Sequence, residues 1–302
     1  MTLILNNEQI NSILSIDECI SAMDEAYREF AAGRGVTRRR SDTLVPIGRE
    51  GALYALKSMD GVAPHLGVGA VRINSDIVTW PKVAGKSRRV KVPSAPGNRY
   101  VGLILLFSTT TGEPLAIVPD GIIQRLRVAA TNGLGIKYLA RPDATNIGLI
   151  GSGFQAETQL AAAAALRKIS RVRLFSPTKD NRERFAREVG ERLNLEIEPV
   201  ATAAEAANGA DIVLCATSSI EAVYRAEWIA PGIHISSIKR AELEAAALDR
   251  VDRLVLHSHD PGAAADRRFE RRRRRQGRGE GLGSFRQGEA RHRTASARSH
   301  QR

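Results

Sequence analysis

The sequence predicts an α/β protein whose main part is a parallel sheet covered by helices. Short apolar runs alternate with helical patterns between residues 146 and 256, and this alternation is typical of such a sheet. An amphipathic helix and several strand-like runs come first and indicate a smaller α/β domain. Apolar periodicity stops near residue 260. We therefore predict a small domain at 1–121, a parallel-sheet domain at 122–261 and a disordered tail at 262–302.

The small domain begins with the amphipathic helix. Ser15 and Glu18 form a capping box, apolar residues follow at helical spacing as far as Phe30, and Gly33 ends the helix. Residues 75–98 are rich in Pro, Lys and Arg and predict an insertion or a long loop. The predicted strands are 53–57, 67–74, 101–107 and 114–118, and the last two form a hairpin around a turn at 109–112.

The second domain begins with a long helix at 122–140, which ends at Arg141-Pro142 because proline cannot continue a helix. Strands and helices then alternate. Predicted strands lie at 146–150, 171–175, 195–199, 211–215, 233–237 and 253–256, and predicted helices at 155–167, 180–192 and 203–208.

The run Gly151-Ser-Gly-Phe-Gln-Ala156 lies between a predicted strand and a predicted helix. This order is that of the dinucleotide-binding unit of a Rossmann domain. Gly151 permits the tight turn, Gly153 lets backbone amides approach a pyrophosphate, and Ala156 permits close packing of the helix on the strand. The phosphates would lie at the positive end of that helix. The alternative is a glycine turn without a ligand.

Composition favours a cytoplasmic protein. No apolar run approaches the ~20 residues that span a bilayer, and the N-terminus lacks the basic region of a signal peptide. The two cysteines, Cys19 and Cys215, lie in apolar patterns, so we expect buried thiols in a reducing compartment. His257 and His259 could begin a metal site, but no third ligand has suitable spacing, and we predict no metal. No nucleophile elbow occurs either.

Most of the net charge of +12 belongs to the tail. Residues 262–302 contain 13 Arg and four acidic residues, and their large apolar side chains are only Phe269, Leu282 and Phe285. Such a segment cannot bury enough surface to offset its ordering entropy, so we predict disorder. We interpret this tail as frameshifted or truncated. The alternative is that its arginines bind nucleic acid, although no aromatic residues are interleaved for base stacking.

Five motifs resemble the ornithine cyclodeaminase/μ-crystallin family over residues 1–258. The glycine run is similar to the family's GxGxQA loop and includes Phe154 and Gln155 among the candidate cofactor-binding residues. Thr217 ends a strand as in the family. The remaining motifs are Gly112-Glu-Pro114 with Asp120-Gly121, Arg125-Leu-Arg-Val-Ala-Ala-Thr131, and Pro231-Gly-Ile-His-Ile235. The resemblance implies a Rossmann domain joined to a smaller domain that forms a homodimer. It also implies hydride transfer between NAD(P) and an amino or imino acid.

The resemblance places Arg127 on the substrate carboxylate, with Arg40 as a second candidate beside the equal contenders Arg38 and Arg39. Arginine suits this role because it binds carboxylates bidentately. A surface helix residue is the alternative for Arg127. Where the family has a lysine, this chain has Arg72, and another alignment offers Lys91.

The family's catalytic Asp is not found after the Pro231 motif. That stretch contains Lys239, Arg240 and Ala241, and its nearby carboxylate, Glu242, aligns with a structural Glu of the family. Cyclisation of ornithine needs general acid–base help. We therefore expect imine reduction or oxidative deamination instead of ornithine cyclisation. A non-catalytic NAD(P)-binding or regulatory protein is the alternative.

The end of the second predicted strand bears on the choice of cofactor. NAD-specific sites usually place an acidic residue there to bind the ribose 2′-hydroxyl. Here Ser176 holds that position, with Thr178, Lys179 and Arg182 nearby. These side chains suit a 2′-phosphate, so the sequence predicts NADP(H) over NAD(H).

Overall fold

The structure, a computed structural model, describes residues 1–83, 85–92 and 101–257. Its strands form a large mixed sheet, a parallel sheet and a small two-stranded hairpin. The first elements in chain order are β1 (Leu3–Ile4), α1 (Asn7–Ile13), α2 (Ile16–Ala31), β2 (Val36–Thr37), β3 (Ser41–Pro46), β4 (Ala52–Ala63), β5 (Val68–Thr79), β6 (Lys82–Val83), β7 (Lys86–Ser87), β8 (Val90–Val92), β9 (Val101–Ser108) and β10 (Pro114–Pro119).

The mixed sheet has the strand order β1-β10-β9-β5-β4-β2, and all its pairs are antiparallel except β1 with β10. β3 pairs with β4, and β8 pairs with the end of β5 beyond its partner β9. The predicted hairpin at 101–118 is present as β9 and β10. The predicted capping box joins Ser15 and Glu18 at the start of α2.

The parallel sheet follows a long helix, α3 (Asp120–Leu139). Its strand order is β13-β12-β11-β14-β15, with every pair parallel. This is the order of a Rossmann sheet, in which the chain reverses direction beside its first strand. The predicted parallel α/β fold is confirmed. The elements are β11 (Asn146–Ile150), α4 (Phe154–Leu166), β12 (Arg171–Phe175), α5 (Lys179–Leu193), β13 (Ile197–Pro199), α6 (Ala203–Ala207), β14 (Ile212–Cys215), β15 (His234–Ser237) and α7 (Ala245–Arg250).

Helix α3 contributes to the packing of both sheets. Its first residue, Asp120, is bound by side chains of β5. Near its other end, Ile136 is fully buried in the main core of the parallel sheet, with Leu149, Leu160 and Leu174. Between these ends, Ala129 and Ala130 pack against α2. The predicted boundary at residue 121 lies at the start of this helix and stays a prediction.

Two sequence predictions are wrong. Residues 75–98 were expected to form a loop, but β5 continues to Thr79 and the chain then adds β6, β7 and β8; residues 93–98 and Ala84 lie outside the described residues. Lys91 is tolerated in β8 because its ammonium group binds Asp76. Residues 253–256 form no strand, and within the described ranges they pair with no other strand, so β15 is the edge strand there.

The tail predicted at 262–302 lies outside the described residues, as does His259 of the possible metal pair. Cys215 is buried, Cys19 is half-buried, and both are free thiols. None of the helices in the described parts of the chain is long and apolar enough to cross a bilayer.

Candidate functional site

The turn after β11 requires glycine at its first position. Gly151 has φ +118°, which L side chains rarely adopt. A Cβ added there would lie 2.3 Å from the carbonyl oxygen of Ala216, just past β14. The Gly151 amide donates to the Phe175 carbonyl at 2.8 Å. The tight turn is therefore held between the ends of β12 and β14.

Gly153 leaves open space at the N-terminus of α4. It is the N-cap residue, and a Cβ added there would meet nothing within 4 Å. Ala156, one turn later, is completely buried against the sheet. Phe154 is 49% exposed, with the Arg125 guanidinium 4.5 Å from its ring centre. Unpaired backbone amides and an open approach make this helix end suitable for phosphate.

Gln155 has an unusual environment in the first turn of α4. Its side-chain oxygen is buried and has no hydrogen-bond partner within the described part of the chain. The same is true of Nε2 of Gln159, one turn further along the helix. A buried polar atom without a partner is costly. These two amides mark α4 as a helix with polar groups still open to a ligand or to water.

Ser176 is buried at the end of β12 and fixes the neighbouring turn. The Ser152 hydroxyl donates to the Ser176 hydroxyl oxygen at 2.8 Å. The guanidinium of Arg182 donates to the Ser176 carbonyl at 3.1 Å. Thr178 is the N-cap residue of α5, and its hydroxyl makes no capping bond. Arg182 is thus held beside the strand end at which dinucleotide-binding proteins bind the adenosine ribose.

Thr217, just past β14, is fixed by a buried carboxylate. Glu242 has no exposed surface, and its Oε1 accepts from the Thr217 amide at 2.6 Å and from the hydroxyl at 2.7 Å. The other oxygen of Glu242 accepts from the amides of Ile238 and Lys239, both at 3.1 Å, after β15. Glu242 therefore joins the two loops at the carboxyl ends of β14 and β15, which is a structural role.

Lys239 lies near the place where the sequence comparison expected an Asp. Its ammonium group donates to the Ser219 carbonyl at 2.7 Å. Burial lowers the pKa of Lys239, while Glu242 opposes this change and Arg89 adds to it. The loops after β14 and β15 therefore present a cation between them.

One face of the mixed sheet is charged where an apolar face is usual. Arg72, Asn74 and Asp76 alternate along β5 and so point to the same side. Lys57 of β4 is paired with Asn74, and Lys91 of β8 is paired with Val78 two residues beyond Asp76. We call these five residues the charged face. Asn74, Asp76 and Lys57 are buried in it.

Asp120 closes one end of the charged face. Both of its oxygens accept from the Arg72 guanidinium at 2.7 Å, and Asn74 adds a third hydrogen bond at 2.6 Å. Gly102 of β9 makes room for this group, since a Cβ there would lie 2.3 Å from the Asn74 amide nitrogen. Arg72 is therefore held rigidly at the start of α3.

Asp76 closes the other end and binds two lysines through a single oxygen. Lys57 Nζ is 2.5 Å and Lys91 Nζ is 2.9 Å from Asp76 Oδ2. Burial raises the pKa of Asp76, but these two hydrogen bonds outweigh it, so the pKa is lowered. Burial also lowers the pKa of Lys91, and repulsion from Lys57 and Arg72 adds to this effect against the attraction of Asp76.

Arg127 lies on the second turn of α3, half-buried near this group. The pKa of Arg127 is lowered mainly by burial and further by the positive charge of Arg72. Within the described ranges, no hydrogen bond or ion pair joins its guanidinium to another side chain. It is not a solvated surface residue. The structure thus places a desolvated, uncommitted guanidinium beside the charged face.

The three contenders in the basic stretch take different positions. Arg40 also contributes to lowering the Arg127 pKa, so it lies near that guanidinium. It binds Asp42 at 2.6 and 2.7 Å. Arg38 instead pairs with Asp60. Asp60 is three residues from Lys57 on β4, so its side chain points to the side of the sheet opposite the charged face. A shallow hollow on that side is lined by Arg38 and Arg39.

Main-chain hydrogen bonds join the charged face to the parallel sheet. The Arg89 amide donates to the Ser218 carbonyl at 3.1 Å, and the Ile220 amide donates to the Ser87 carbonyl at 3.5 Å. Lys91 is two residues from Arg89. The charged face therefore borders the loop after β14, at the carboxyl edge where open α/β sheets bind ligands.

The sequence profile of the ornithine cyclodeaminase/mu-crystallin family matches residues 1–260. The chain belongs to this family. Membership agrees with the glycine turn and the Rossmann strand order. The family resemblance drawn from the sequence motifs is confirmed.

Several proteins are similar to this member of the family. The alanine dehydrogenase of Archaeoglobus fulgidus is 30% identical over 244 residues, which are 78% of this chain and 66% of that protein. The Thermococcus litoralis Δ1-pyrroline-2-carboxylate reductase in complex with NADH and L-proline is 28% identical, with a TM-score of 0.68, over 82% of this chain and 73% of that one. An archaeal alanine dehydrogenase dimer with bound NAD is 27% identical, with a TM-score of 0.63, over 78% of this chain and 66% of that one.

Part of the site was not predicted from the sequence. Lys57, Asn74 and Asp76 were not among the candidate residues, and Asp120 had no predicted role. The signal was present in Arg72-Ile-Asn-Ser-Asp76, where polar residues alternate within an otherwise strand-like run and so share one face. The expected absence of a metal site stays a prediction. The described residues contain no cluster of three metal-binding side chains.

Proposed function

We propose that the protein transfers a hydride between NAD(P) and an amino or imino acid, with imine reduction or oxidative deamination as its chemistry. The observation that carries the proposal is the uncommitted guanidinium of Arg127 beside the charged face, which borders the carboxyl edge of the parallel sheet. A carboxylate substrate would bring that guanidinium its missing partner. The similar proteins support this assignment, since their names describe alanine dehydrogenation and pyrroline-2-carboxylate reduction.

The dinucleotide fits the residues around the first turn of the parallel sheet. Gly151 and Gly153 leave the N-terminus of α4 open to a pyrophosphate, and Phe154, Gln155 and Ala156 continue that helix. Thr217 and its neighbours would border the nicotinamide, since they follow β14 at the same edge. When bound, the nicotinamide supplies the hydride or accepts it.

We assign NADP(H) as the preferred form. No carboxylate ends β12 in the described structure, whereas Ser176, Thr178 and Arg182 gather there. Arg182 is anchored to the Ser176 carbonyl and so is held close to where a 2′-phosphate would lie. The similar structures contain NADH or NAD. A preference for NADP(H) would therefore distinguish this protein from them.

The chain's own residues would position the substrate. Arg127 binds the carboxylate, while Arg72, held by Asp120, adds positive charge beside it. Arg40, which is held by Asp42, lies near enough to Arg127 to act on it electrostatically. An arginine at the position of Arg72 cannot act as a base. Because Lys239, Arg240 and Ala241 stand where the resemblance expects the catalytic Asp, little or no proline should form from ornithine.

Three measurements test this proposal. Dissociation constants for NADPH and NADH at one salt concentration should favour NADPH, and tighter NADH binding would refute the preference. Turnover of Δ1-pyrroline-2-carboxylate should fall about 100-fold or more in Arg127→Ala, while Arg187→Ala on the exposed face of α5 should leave it unchanged. Robust proline formation from ornithine would show that the missing Asp does not matter.

Alternative outcomes are distinguishable. Nicotinamide binding without hydride transfer to any amino or imino acid would favour a non-catalytic, regulatory protein. Salt-sensitive RNA binding that survives deletion of residues 262–302 would favour a nucleic-acid function in the body of the protein. We also propose a homodimer, as in the archaeal alanine dehydrogenase. The expected cytoplasmic location stays a prediction.

A further inference from the structure

Positive charge exceeds negative charge around the charged face. Its cations are Lys57, Arg72 and Lys91, and Arg127 lies beside them on α3. Among residues 1–83, 85–92 and 101–257, the carboxylates that pair with these cations or act on Arg127 are Asp76 and Asp120. Nearby, Arg40 and Asp42 neutralise each other. The group therefore carries two positive charges more than its own carboxylates can balance.

The ion pairs show which cations share a carboxylate or have none. Asp120 uses both oxygens on Arg72, with which it makes a bidentate pair. Asp76 offers one oxygen to two ammonium groups, and Lys57 is the more deeply buried partner, with 5% of its side chain exposed against 32% for Lys91. Lys57 is therefore the main partner of Asp76, and the more exposed ammonium group of Lys91 has two N–H donors besides the one that binds Asp76.

Arg127 and Lys91 are thus two cations without a carboxylate of their own. Removing a cation from water is costly unless an anion compensates it. In the proposed function, the α-carboxylate of an amino or imino acid compensates Arg127. The pyrophosphate of the dinucleotide would bind at the N-terminus of α4, so it does not serve Lys91. One positive charge remains.

We propose that the substrate is a dicarboxylic amino or imino acid, whose second carboxylate binds the ammonium group of Lys91. This inference rests on the proposed function for the α-carboxylate at Arg127. It adds a subsite at the junction of β8 with the loop after β14, where the Arg89 and Ser87 backbones meet Ser218 and Ile220. The selective contact is an ammonium–carboxylate pair, which a substrate with an apolar side chain cannot form.

Binding of unreactive acids tests the proposal separately from hydride transfer. Succinate and butyrate have four carbons each and differ in one carboxylate. Calorimetry on the full-length protein, with and without saturating NADP⁺, should give succinate an affinity at least tenfold higher, which corresponds to one additional charged hydrogen bond. Equal affinities, or no binding of either acid in both conditions, would overturn the proposal.

Variants of Lys91 locate the effect. Lys91→Gln should weaken succinate binding about tenfold and leave butyrate binding within about twofold, whereas Lys91→Arg should retain the preference for succinate. Lys82→Gln, on the neighbouring exposed strand β6, is the matched control and should change neither affinity. Loss of both affinities in Lys91→Gln, with an unchanged unfolding midpoint, would show that Lys91 serves the single carboxylate and would refute a second subsite.

Failure of the underlying function would look different. If neither NADPH nor NADH binds, the proposed hydride transfer is refuted, while the preference for succinate over butyrate remains measurable without dinucleotide. If dinucleotide and Δ1-pyrroline-2-carboxylate are used efficiently but the two acids bind equally, the function stands and the dicarboxylate inference falls.

Discussion

The carboxylate of Glu242 holds Thr217 by both its amide and its hydroxyl, at 2.6 and 2.7 Å. The same carboxylate accepts three donors from residues 237–239. A fully buried carboxyl group thus joins two loops at the carboxyl edge of the sheet. Hydrogen bonds to charged groups of this kind are among the strongest in proteins.

We expect Glu242→Gln to destabilise the protein by about 2–3 kcal/mol, because an amide nitrogen would face backbone donors that it cannot satisfy. Dinucleotide affinity should fall as well, since Thr217 loses its anchor. Urea denaturation measures the first effect, and fluorescence titration with NADPH measures the second. Glu227→Gln, which removes an exposed carboxylate, is the control. Equal midpoints for the two variants would contradict a structural role for Glu242.

Gly151→Ala and Gly153→Ala should separate folding from ligand binding. At Gly151, positive φ and a clash with the Ala216 carbonyl should cost at least about 2 kcal/mol. At Gly153, the added methyl group meets open space, so stability should stay within about 1 kcal/mol. Dinucleotide affinity should nevertheless fall in Gly153→Ala if a pyrophosphate approaches this backbone. Unchanged NADPH binding in that variant would place the phosphates elsewhere.

Stability should depend on His234 in mildly acidic solution. Burial, assisted by the charge of Arg167, lowers the pKa of His234 from 6.5 to about 4. The unfolded chain therefore binds a proton that the folded protein rejects in this range, so stability falls as the pH drops from 6.5 towards 4. The loss approaches about 3 kcal/mol below pH 4. Urea midpoints across this range should show the slope in the wild type, and its persistence in His234→Gln would assign it to another group.

Asp120→Asn should be more disruptive than its size suggests. It leaves Arg72 buried beside Asn74 without a carboxylate, at a cost of about 3–5 kcal/mol. Asp42→Asn removes a similar partner from the more exposed Arg40 and should cost at most about 1 kcal/mol. Thermal and urea denaturation of both variants make the comparison. A cost for Asp42→Asn equal to that for Asp120→Asn would show that burial does not set the difference.

The parallel sheet was predictable because its signals are local. Gly151 and Ala156 bracket a turn whose strand and helix are recognisable from apolar periodicity. The charged face was harder, because the partners of Asp76 come from β4 and β8, which lie 19 residues earlier and 15 residues later in the chain. Periodicity indicates that Arg72, Asn74 and Asp76 share a side, but it does not indicate what covers that side.

The lysine- and arginine-rich region shows the same limit. Residues 86–92 look like a solvated loop because their charges are conspicuous and their apolar residues are few. In the fold, Lys91 meets Asp76 and the neighbouring backbone pairs with the loop after β14. Propensity assigns such a segment to solvent, whereas tertiary pairing makes it a strand.

Helix α3 fixes the orientation of Arg127 relative to the parallel sheet. Arg127 lies beside the charged face, and Ile136, on the same helix, is buried in the core of the parallel sheet. Inserting a single residue between them would turn one end by about 100° and advance it by about 1.5 Å relative to the other. A surface loop can accommodate an added residue, but a helix that is packed at both ends cannot. The number of residues between Arg127 and Ile136 is therefore constrained as well as their identity.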